Sequence, residues 1–419
     1  MIHAADGYAR STGKVGVCLV TSGPGATNIV TGIATANYDS VPLVCFTGQV
    51  ATNLIGNDAF QEVDIVGITR NICKYSVTVR DRRDLGRIIK EAFYIANTGV
   101  HTGQIKKAMD VLSKAKKPVF LIGGGVKISN AGKKLTELAE VTGIPVITTI
   151  MGKGIIPTTN PLYVGNIGMH GSYAANRAIS ECDVLFSIGT RFNDIITGKI
   201  SEFAKNASII HVDIDAVSIS KNIDAQIPIV ADAKNAIEIM LKCAVPLNIQ
   251  SWVSEIEEWK KTHPINMNQY QGMTAEIIIK KINKMFKNSV VVTDVGQNQL
   301  WTTQYLELDK NRQMLTSGGF GTMGYGFPAA IGAKLGNPNK DVICISGDGG
   351  MQMNIQEMAT AVTLELPLIL CVLNNSCLGN VRQWQEMFYK KRYSSTCLRQ
   401  RKSCMQNCKN DDYGLLREV

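Results

Sequence analysis

Aromatic residues are scarce in this chain, at 6% of the total, and they form no stacking pattern among its basic residues. That scarcity matters because the formal net charge is +9. A basic protein without interleaved aromatics lacks the usual means of gripping nucleic acid. The excess is also unevenly placed: from Tyr389 to Lys409 there are seven Lys/Arg and no acid. A solvated tail, or a loop over a phosphate site, accounts for it better, and no nucleic-acid partner is expected. No apolar run approaches the roughly 20 residues of a membrane span, so no membrane partner is expected either. The opening Met1-Ile-His-Ala-Ala-Asp-Gly-Tyr8 has neither a basic n-region nor an apolar h-region. A cytoplasmic location is therefore expected. CxxC pairs are missing too, and the tail cysteines Cys397, Cys404 and Cys408 have no nearby histidine, which makes them a poor zinc set. Of the eleven cysteines, Cys18, Cys45, Cys344 and Cys371 fall inside apolar strand-like runs. That placement fits reduced core thiols.

What is present is ordinary globular material: 45% hydrophobic and 19% charged residues over 419 positions, enough for two or three α/β domains. Strand-like runs alternate with helical stretches throughout. Val15 to Val20 and Val41 to Phe46 are strands of a first unit, with a loop at Thr21-Ser-Gly-Pro-Gly25 and a helix from about Ala26. Pro118 to Ile122, Ile144 to Thr148, Asp183 to Ile188 and Ile209 to Asp213 belong to a second. Ser289 to Thr293, Val342 to Ser346 and Leu366 to Leu373 belong to a third. This alternation predicts α/β architecture with three doubly wound, mostly parallel sheets, the first and third incomplete. The expected divisions are 1–104, 105–245, a polar linker 246–272, and 273–419.

The third unit carries the strongest motif. Ser346-Gly-Asp-Gly-Gly350 and Leu373-Asn-Asn375 each follow an apolar run, and Asp348 and Asn375 stand 27 positions apart. Between them Asn354 to Glu365 reads as one helix, with Ile355, Met358, Ala359 and Val362 on a single face. A β-α-β unit of this kind delivers both strand ends to one rim. The rim then holds a carboxylate, an amide oxygen and a glycine turn with free N–H groups. That set suits a small hard cation carrying a diphosphate, whose oxygens complete the octahedron. Gly347-Asp-Gly349 alone also fits a plain tight turn; the pairing with Asn375 separates the two.

In this arrangement the chain resembles the acetohydroxyacid (acetolactate) synthase catalytic subunits, a family of thiamine diphosphate enzymes, over nearly its whole length. The carrying segments are His3-Ala-Ala-Asp-Gly-Tyr-Ala-Arg10, Thr21 to Asn28, Asp58-Ala-Phe-Gln-Glu62 and Gly168-Met-His-Gly171. Further on come Gly189-Thr-Arg-Phe-Asn-Asp194, Asp294-Val-Gly-Gln297, Gly318 to Gly324 and Arg382-Gln-Trp384. The resemblance implies joining two pyruvates, or pyruvate and 2-ketobutyrate, with loss of CO2, early in branched-chain amino acid biosynthesis. It implies a homodimer with the active site at the subunit interface, and a small regulatory subunit as a further partner.

Site residues follow from the same resemblance. Magnesium falls to Asp348, Asn375 and the carbonyl of Cys377. Thiamine diphosphate falls to Val295, Gly296, Gln297, Asn298, Gly321, Met323, Gly347, Gly349, Gly350 and Leu378 as well, with Met323 as an apolar wedge. Phe60, Gln61 and Trp384 would line the substrate pocket. Gly168-Met-His-Gly171 with Arg191-Phe192 implies an FAD-containing member. Flavin would meet Gly123, Gly124, Met169, His170, Gly189, Thr190, Arg191, Asp213 and Asp232. Taken singly, Met323, Phe60 and Trp384 read equally as core packing, and His170 as a satisfied loop histidine.

The chain also departs from the family. The family's catalytic glutamate precedes the His3–Arg10 segment and has no counterpart here; Glu62 does not stand at its motif position. A strand and linker between Asn97-Thr-Gly99 and His101-Thr-Gly-Gln104 are absent, Ile195 replaces a substrate-binding arginine, and the sequence stops early in the last domain. Asn380 and Gly350 stand where methionine and serine are usual. The expectation is a shortened copy with impaired turnover. Alternatives left open are a non-catalytic homologue that keeps cofactor binding, and another thiamine diphosphate carboligase or decarboxylase.

Overall fold

The computed structural model describes residues 1–39, 41–51, 55, 59–73, 75–79, 81–95, 103–215, 218–267, 271–309 and 311–398. They divide between two compact units. One combines Met1–Asn97, Asn268–Thr302 and Met314–Val419; the other combines Thr98–Met267 and Thr303–Gln313. Asp58, Cys404 and Cys408 lie outside the described residues.

In the first unit, β1 (Gly16–Val20) and β2 (Leu43–Thr47) pair in parallel, with Cys18 opposite Cys45. The Ile2–Thr12 helix packs on one face through Ile2 and Ala5. The other face stays open: Val17 is 51% and Leu19 69% exposed. Gly13 ends the Ile2–Thr12 helix in the left-handed region (φ 71°), its N–H donating to Ala9 O, as glycine after a helix commonly does.

The second unit holds a six-stranded sheet. Its strands are β3 (Pro118–Ile122), β4 (Val146–Thr148), β5 (Tyr163–Asn166), β6 (Val184–Ile188), β7 (Ser208–Asp213) and β8 (Ile227–Val230). They lie in the order β5-β4-β3-β6-β7-β8, every pair parallel. β3 and β6 are buried at every residue, as near-continuous apolar strands in a doubly covered parallel sheet are. The order reverses direction between β3 and β6, which opens a crevice at their carboxyl ends. The polar stretch after Pro246 is not bare: it contains the Gln250–Thr262 helix. Trp252 of that helix is fully buried and donates its indole N–H to Pro118 O at 3.1 Å.

Back in the first unit, β9 (Ser289–Thr293), β10 (Gln313–Thr316), β11 (Asp341–Gly347) and β12 (Ile369–Leu373) form the third sheet, ordered β10-β9-β11-β12. β11 runs parallel to both β9 and β12. Here the order reverses between β9 and β11. The fold is thus α/β with three sheets of the doubly wound kind. Of the helix expected over 354–365, Glu357–Thr363 is helical, and a separate short helix, Asp348–Met353, precedes it. Asn354 lies between them and gives its side-chain amide to Gly324 O at 2.7 Å. The expected apolar face is open rather than buried, with Ile355, Met358 and Val362 exposed. Cys18, Cys45, Cys344 and Cys371 are unbridged thiols.

Candidate functional site

The crevice of the third sheet gathers three loops. β11 ends at Gly347, and Asp348 opens the short helix that follows. Its half-buried carboxyl faces backbone N–H groups of Gly349, Ser376 and Asn375. Burial pushes its pKa up, and those N–H groups oppose the rise. Asn375, two residues past β12, donates from Nδ2 to Gln297 Oε1 at 3.0 Å and accepts from Cys377 N at 3.1 Å. Ser376 between them has a φ of 58°, a strained value of the kind that collects at functional loops. Asp348, Asn375, Cys377 and Gln297 therefore meet on one rim, as the sequence predicts. A Cβ on Gly379 would lie 2.0 Å from Gln297 Oε1, so a larger residue there would displace the Gln297 side chain from Asn375.

Met323 reaches the same rim. Its Cε lies 3.9 Å from where a Cβ on Gly349 would stand, and Leu378 Cδ2 lies 2.8 Å from that point. The loop bearing Met323 turns through left-handed φ at Gly321 (69°) and Gly324 (84°). Asn298 is buried, and its amide donates to Asp294 O at 2.8 Å and Ile345 O at 3.2 Å, bridging β9 and β11. Sequence reasoning gave no role to Asp294, a second heavily engaged carboxylate here. It accepts from Val295 N (2.7 Å), Gly324 N (3.0 Å) and Gly326 N (2.8 Å). Burial raises its pKa against those donors. Gly350 clears it, since a Cβ there would come within 2.6 Å of Asp294 Oδ1. A lone Asp after a strand signals none of this, because Gly324 and Gly326 are remote in sequence.

The substrate candidates are less gathered. Gln61 (φ 61°) packs on the Thr21–Gly25 loop, where a Cβ on Gly23 would meet Gln61 O at 2.7 Å. Phe60 is 89% exposed and Trp384 41%, the latter packing edge-on to Phe388. Neither is enclosed within this chain.

A second rim lies in the other unit, outside β3 and β6. Gly125 N donates to Gly189 O at 3.2 Å, and a Cβ on Gly123 would lie 2.0 Å from that oxygen. Two glycine loops thus stack backbone on backbone. Thr190 Oγ1 and His211 Nδ1 are buried there with no hydrogen-bond partner, while His211 Nε2 sits 2.7 Å from Thr190 O. Asp213, at the end of β7, has its pKa raised to about 6 by burial, opposed by the N–H of Asp215 and by Arg191. Burial lowers the pKa of His170, and its carbonyl accepts from Gln304 Nε2 at 3.3 Å. Met169 and Ile195 are about half exposed, joined by Met169 N donating to Ile195 O at 3.0 Å. Asp232 caps the Ala233–Leu241 helix, accepting from Asn235 N at 3.1 Å. Gly124 begins the five-residue Gly124–Ile128 helix.

Among the described residues no group of three or more His, Cys, Asp or Glu side chains could hold a metal ion by itself. A cation at Asp348 would need oxygens from a bound diphosphate, which is the arrangement expected of magnesium. Likewise no helix among the described residues is long and apolar enough to cross a membrane.

Comparison with known proteins identifies the family. The chain matches the thiamine pyrophosphate enzyme N-terminal TPP binding domain over residues 1–68, the central domain over 105–240 and the C-terminal TPP binding domain over 294–409. Fold and site thus define a thiamine pyrophosphate enzyme. It is 44% identical to the probable acetolactate synthase large subunit of Methanocaldococcus jannaschii, over 94% of this chain and 76% of that protein. The acetolactate synthase large subunit of Cyanidium caldarium is also 44% identical, over 94% of this chain and 75% of that protein. That of Buchnera aphidicola subsp. Schizaphis graminum gives 44%, 94% and 76%. The chain belongs to the acetolactate synthase large-subunit family.

Proposed function

We propose that this chain catalyses acetolactate formation: two pyruvates give 2-acetolactate and CO2, and pyruvate with 2-ketobutyrate gives 2-aceto-2-hydroxybutyrate. The observation that carries the reading is the meeting of Asp348, Asn375 and Gln297 on one rim at the reversal point of the third sheet. Asp348, Asn375 and the Cys377 carbonyl would hold Mg2+, and the Gly296 and Gly349 turns would take the diphosphate on backbone N–H groups. Met323 would press on the cofactor from the Gly321–Gly324 loop. Thiamine diphosphate, when bound, supplies a nucleophilic carbon and an electron sink for decarboxylation. The protein's share is to orient the 2-keto acid and keep water out, work assigned to Phe60, Gln61 and Trp384.

FAD is proposed for the second rim. Its support is the paired glycine loops beside β3 and β6, with Thr190 Oγ1 and His211 Nδ1 lacking protein partners. Asp213 and Arg191 would meet the ribityl or phosphate end. The divisions 1–104, 105–245, 246–272 and 273–419, a homodimer covering Phe60, a small regulatory partner and a cytoplasmic location belong to the same proposal.

A second reading, cofactor binding with weakened turnover, is favoured by Ile195. It is 48% exposed and cannot make the bidentate carboxylate contact that an arginine offers. One assay separates the readings: acetolactate formation from pyruvate with thiamine diphosphate, Mg2+ and FAD supplied, beside calorimetric cofactor binding. Wild type is expected to bind thiamine diphosphate only with Mg2+ and to turn over, and Asp348→Ala to do neither. Binding without turnover, recovered by Ile195→Arg, would select the second reading. Equal affinity in wild type and Asp348→Ala would overturn both.

A further inference from the structure

Arg10 is a guanidinium removed from water, with side-chain exposure of 6%. It sits in the Ile2–Thr12 helix and engages two carboxylates whose side chains are wholly buried. One is Asp6, gripped through both Nε and Nη2; the other is Asp39, whose Oδ2 lies 2.7 Å from Nη2. Tyr325 donates its hydroxyl to Asp6 Oδ1 at 2.9 Å. Burial pushes the Asp39 carboxyl up, and Arg10 opposes it. A buried ion network of this sort is weak evidence for stability, because well-packed apolar side chains often do as well. What it touches is more informative. Arg10 Nη1 donates to Thr316 O at 2.9 Å, and Asp39 Oδ1 crowds Gly319 so closely that a Cβ there would stand 2.0 Å away. Nearby, Thr35 Oγ1 and Thr322 Oγ1 share a hydrogen bond of 2.6 Å. All these contacts fall on the loop that presents Met323.

We propose that Arg10 and Thr35 are positioning residues for the thiamine diphosphate site, clamping the Thr316–Gly324 loop so that Met323 is set over the Gly349 turn. Met323 stands between two anchors. Thr322, just before it, is tied to Thr35; Gly324, just after it, is tied to Asp294. Gln299 holds the start of the loop at Thr316 and Ser317, and Thr322 N donates to Ser317 Oγ within it; with Gly321 and Gly324 both at positive φ, the segment at Met323 itself relies on the Thr35 and Asp294 ties. The inference rests on the cofactor reading above and deepens it: residues remote from the diphosphate motif set the geometry of the wedge. A misplacement of about 1 Å at such a point can lower a rate by roughly 10²-fold.

The experiment compares full-length Thr35→Val, which keeps the shape and removes the hydroxyl, with Thr35→Ser, which retains it. Arg10→Lys keeps the charge and loses the fork, and Asp348→Ala serves as the site control. Three quantities are measured: thiamine diphosphate affinity in Mg2+, amide exchange of the 318–324 segment without cofactor, and melting temperature. Thr35→Val is expected to weaken affinity and speed loop exchange by about tenfold each, the ratio one buried hydrogen bond supplies. The midpoint of the unfolding event of the unit that holds Asp348 should stay within about 1 °C of wild type, below the roughly 3 °C or more that the same tenfold loss would cost if it were global. Thr35→Ser should restore both quantities to within about twofold on the same hydrogen-bond scale. Arg10→Lys should shift affinity in the same direction as Thr35→Val. Unchanged affinity and exchange in Thr35→Val, while Asp348→Ala abolishes binding, would overturn the positioning role and leave the site standing. Full binding by Asp348→Ala would instead overturn the site, and the inference with it.

Discussion

Lys153 shows what a single buried charge does to this protein. It is 4% exposed and donates from Nζ to Thr303 O. Burial lowers its pKa to about 7, opposed by Glu307. The unfolded value is about 10.4, so the folded state binds this proton more weakly. Its contribution to stability is fully present above about pH 10.4 and is lost as pH falls through 7. The span corresponds to an upper bound on the order of 4–5 kcal/mol. Lys153→Met is expected to flatten the rise in stability between pH 7 and 10, read from urea midpoints across that range. An unaltered slope would mean the ammonium is not desolvated. Site residues divide along similar lines. Asp348 and Asn375 were legible because strand, turn and carboxylate are contiguous in sequence. Asp294 was not, because its partners Gly324 and Gly326 come from a distant loop, and neither was Arg10, whose partners are spread from Asp6 to Thr316.

At the scale of elements, the Ile2–Thr12 and Gly326–Gly336 helices touch through glycine. A Cβ on Gly7 would lie 2.4 Å from Ala329 O, and one on Gly332 would lie 2.0 Å from Ala4 O. Neither contact is with a side chain that could swing away. Gly332→Ala should therefore force the helices apart and lower stability by about 1–3 kcal/mol, as overpacking does. The comparison is Gly86→Ala in the first turn of the Leu85–Ile95 helix, where a Cβ meets nothing within 4 Å; an alanine there should stabilise by up to about 1 kcal/mol. Equal urea midpoints for the two variants would discount the close packing. The strands read from sequence include β3, β6 and β9, each buried throughout. The three that escaped, β5, β8 and β10, all lie at sheet edges with only four residues each. An edge strand needs fewer apolar residues, so its sequence signal is weaker. The helix expected over 354–365 starts late, at Glu357, where Asn354 gives its side-chain amide to a carbonyl of the Gly324 turn instead of joining the helix.

For the molecule as a whole, two compact units with separate hydrophobic clusters imply that one melting temperature will not describe it. Calorimetry is expected to resolve two unfolding events. Thiamine diphosphate with Mg2+ should raise only the one belonging to the unit that contains Asp348, since a ligand stabilises what it binds. Asp348→Ala should abolish that shift and leave the other event in place. A single transition moved by the cofactor would contradict independent units. The alternation of strands and helices revealed the three sheets, but it could not reveal that the first and third share one compact unit. That sharing depends on long-range helix contacts with no local signature.

The Gly7–Ala329 contact joins positions more than three hundred residues apart, and this has a bearing on how the chain is made. At roughly 5–20 residues per second, about 15–60 s separate the emergence of the Ile2–Thr12 helix from that of its partner. Most of the other unit, Thr98–Met267, is complete well before then. The Ile2–Thr12 helix must therefore wait with its Ala4 and Gly7 side uncovered while later sequence folds. Nascent chains halted near residue 300 should hold a protease-resistant middle segment and a cleavable start, and should be the stage at which chaperones are needed most.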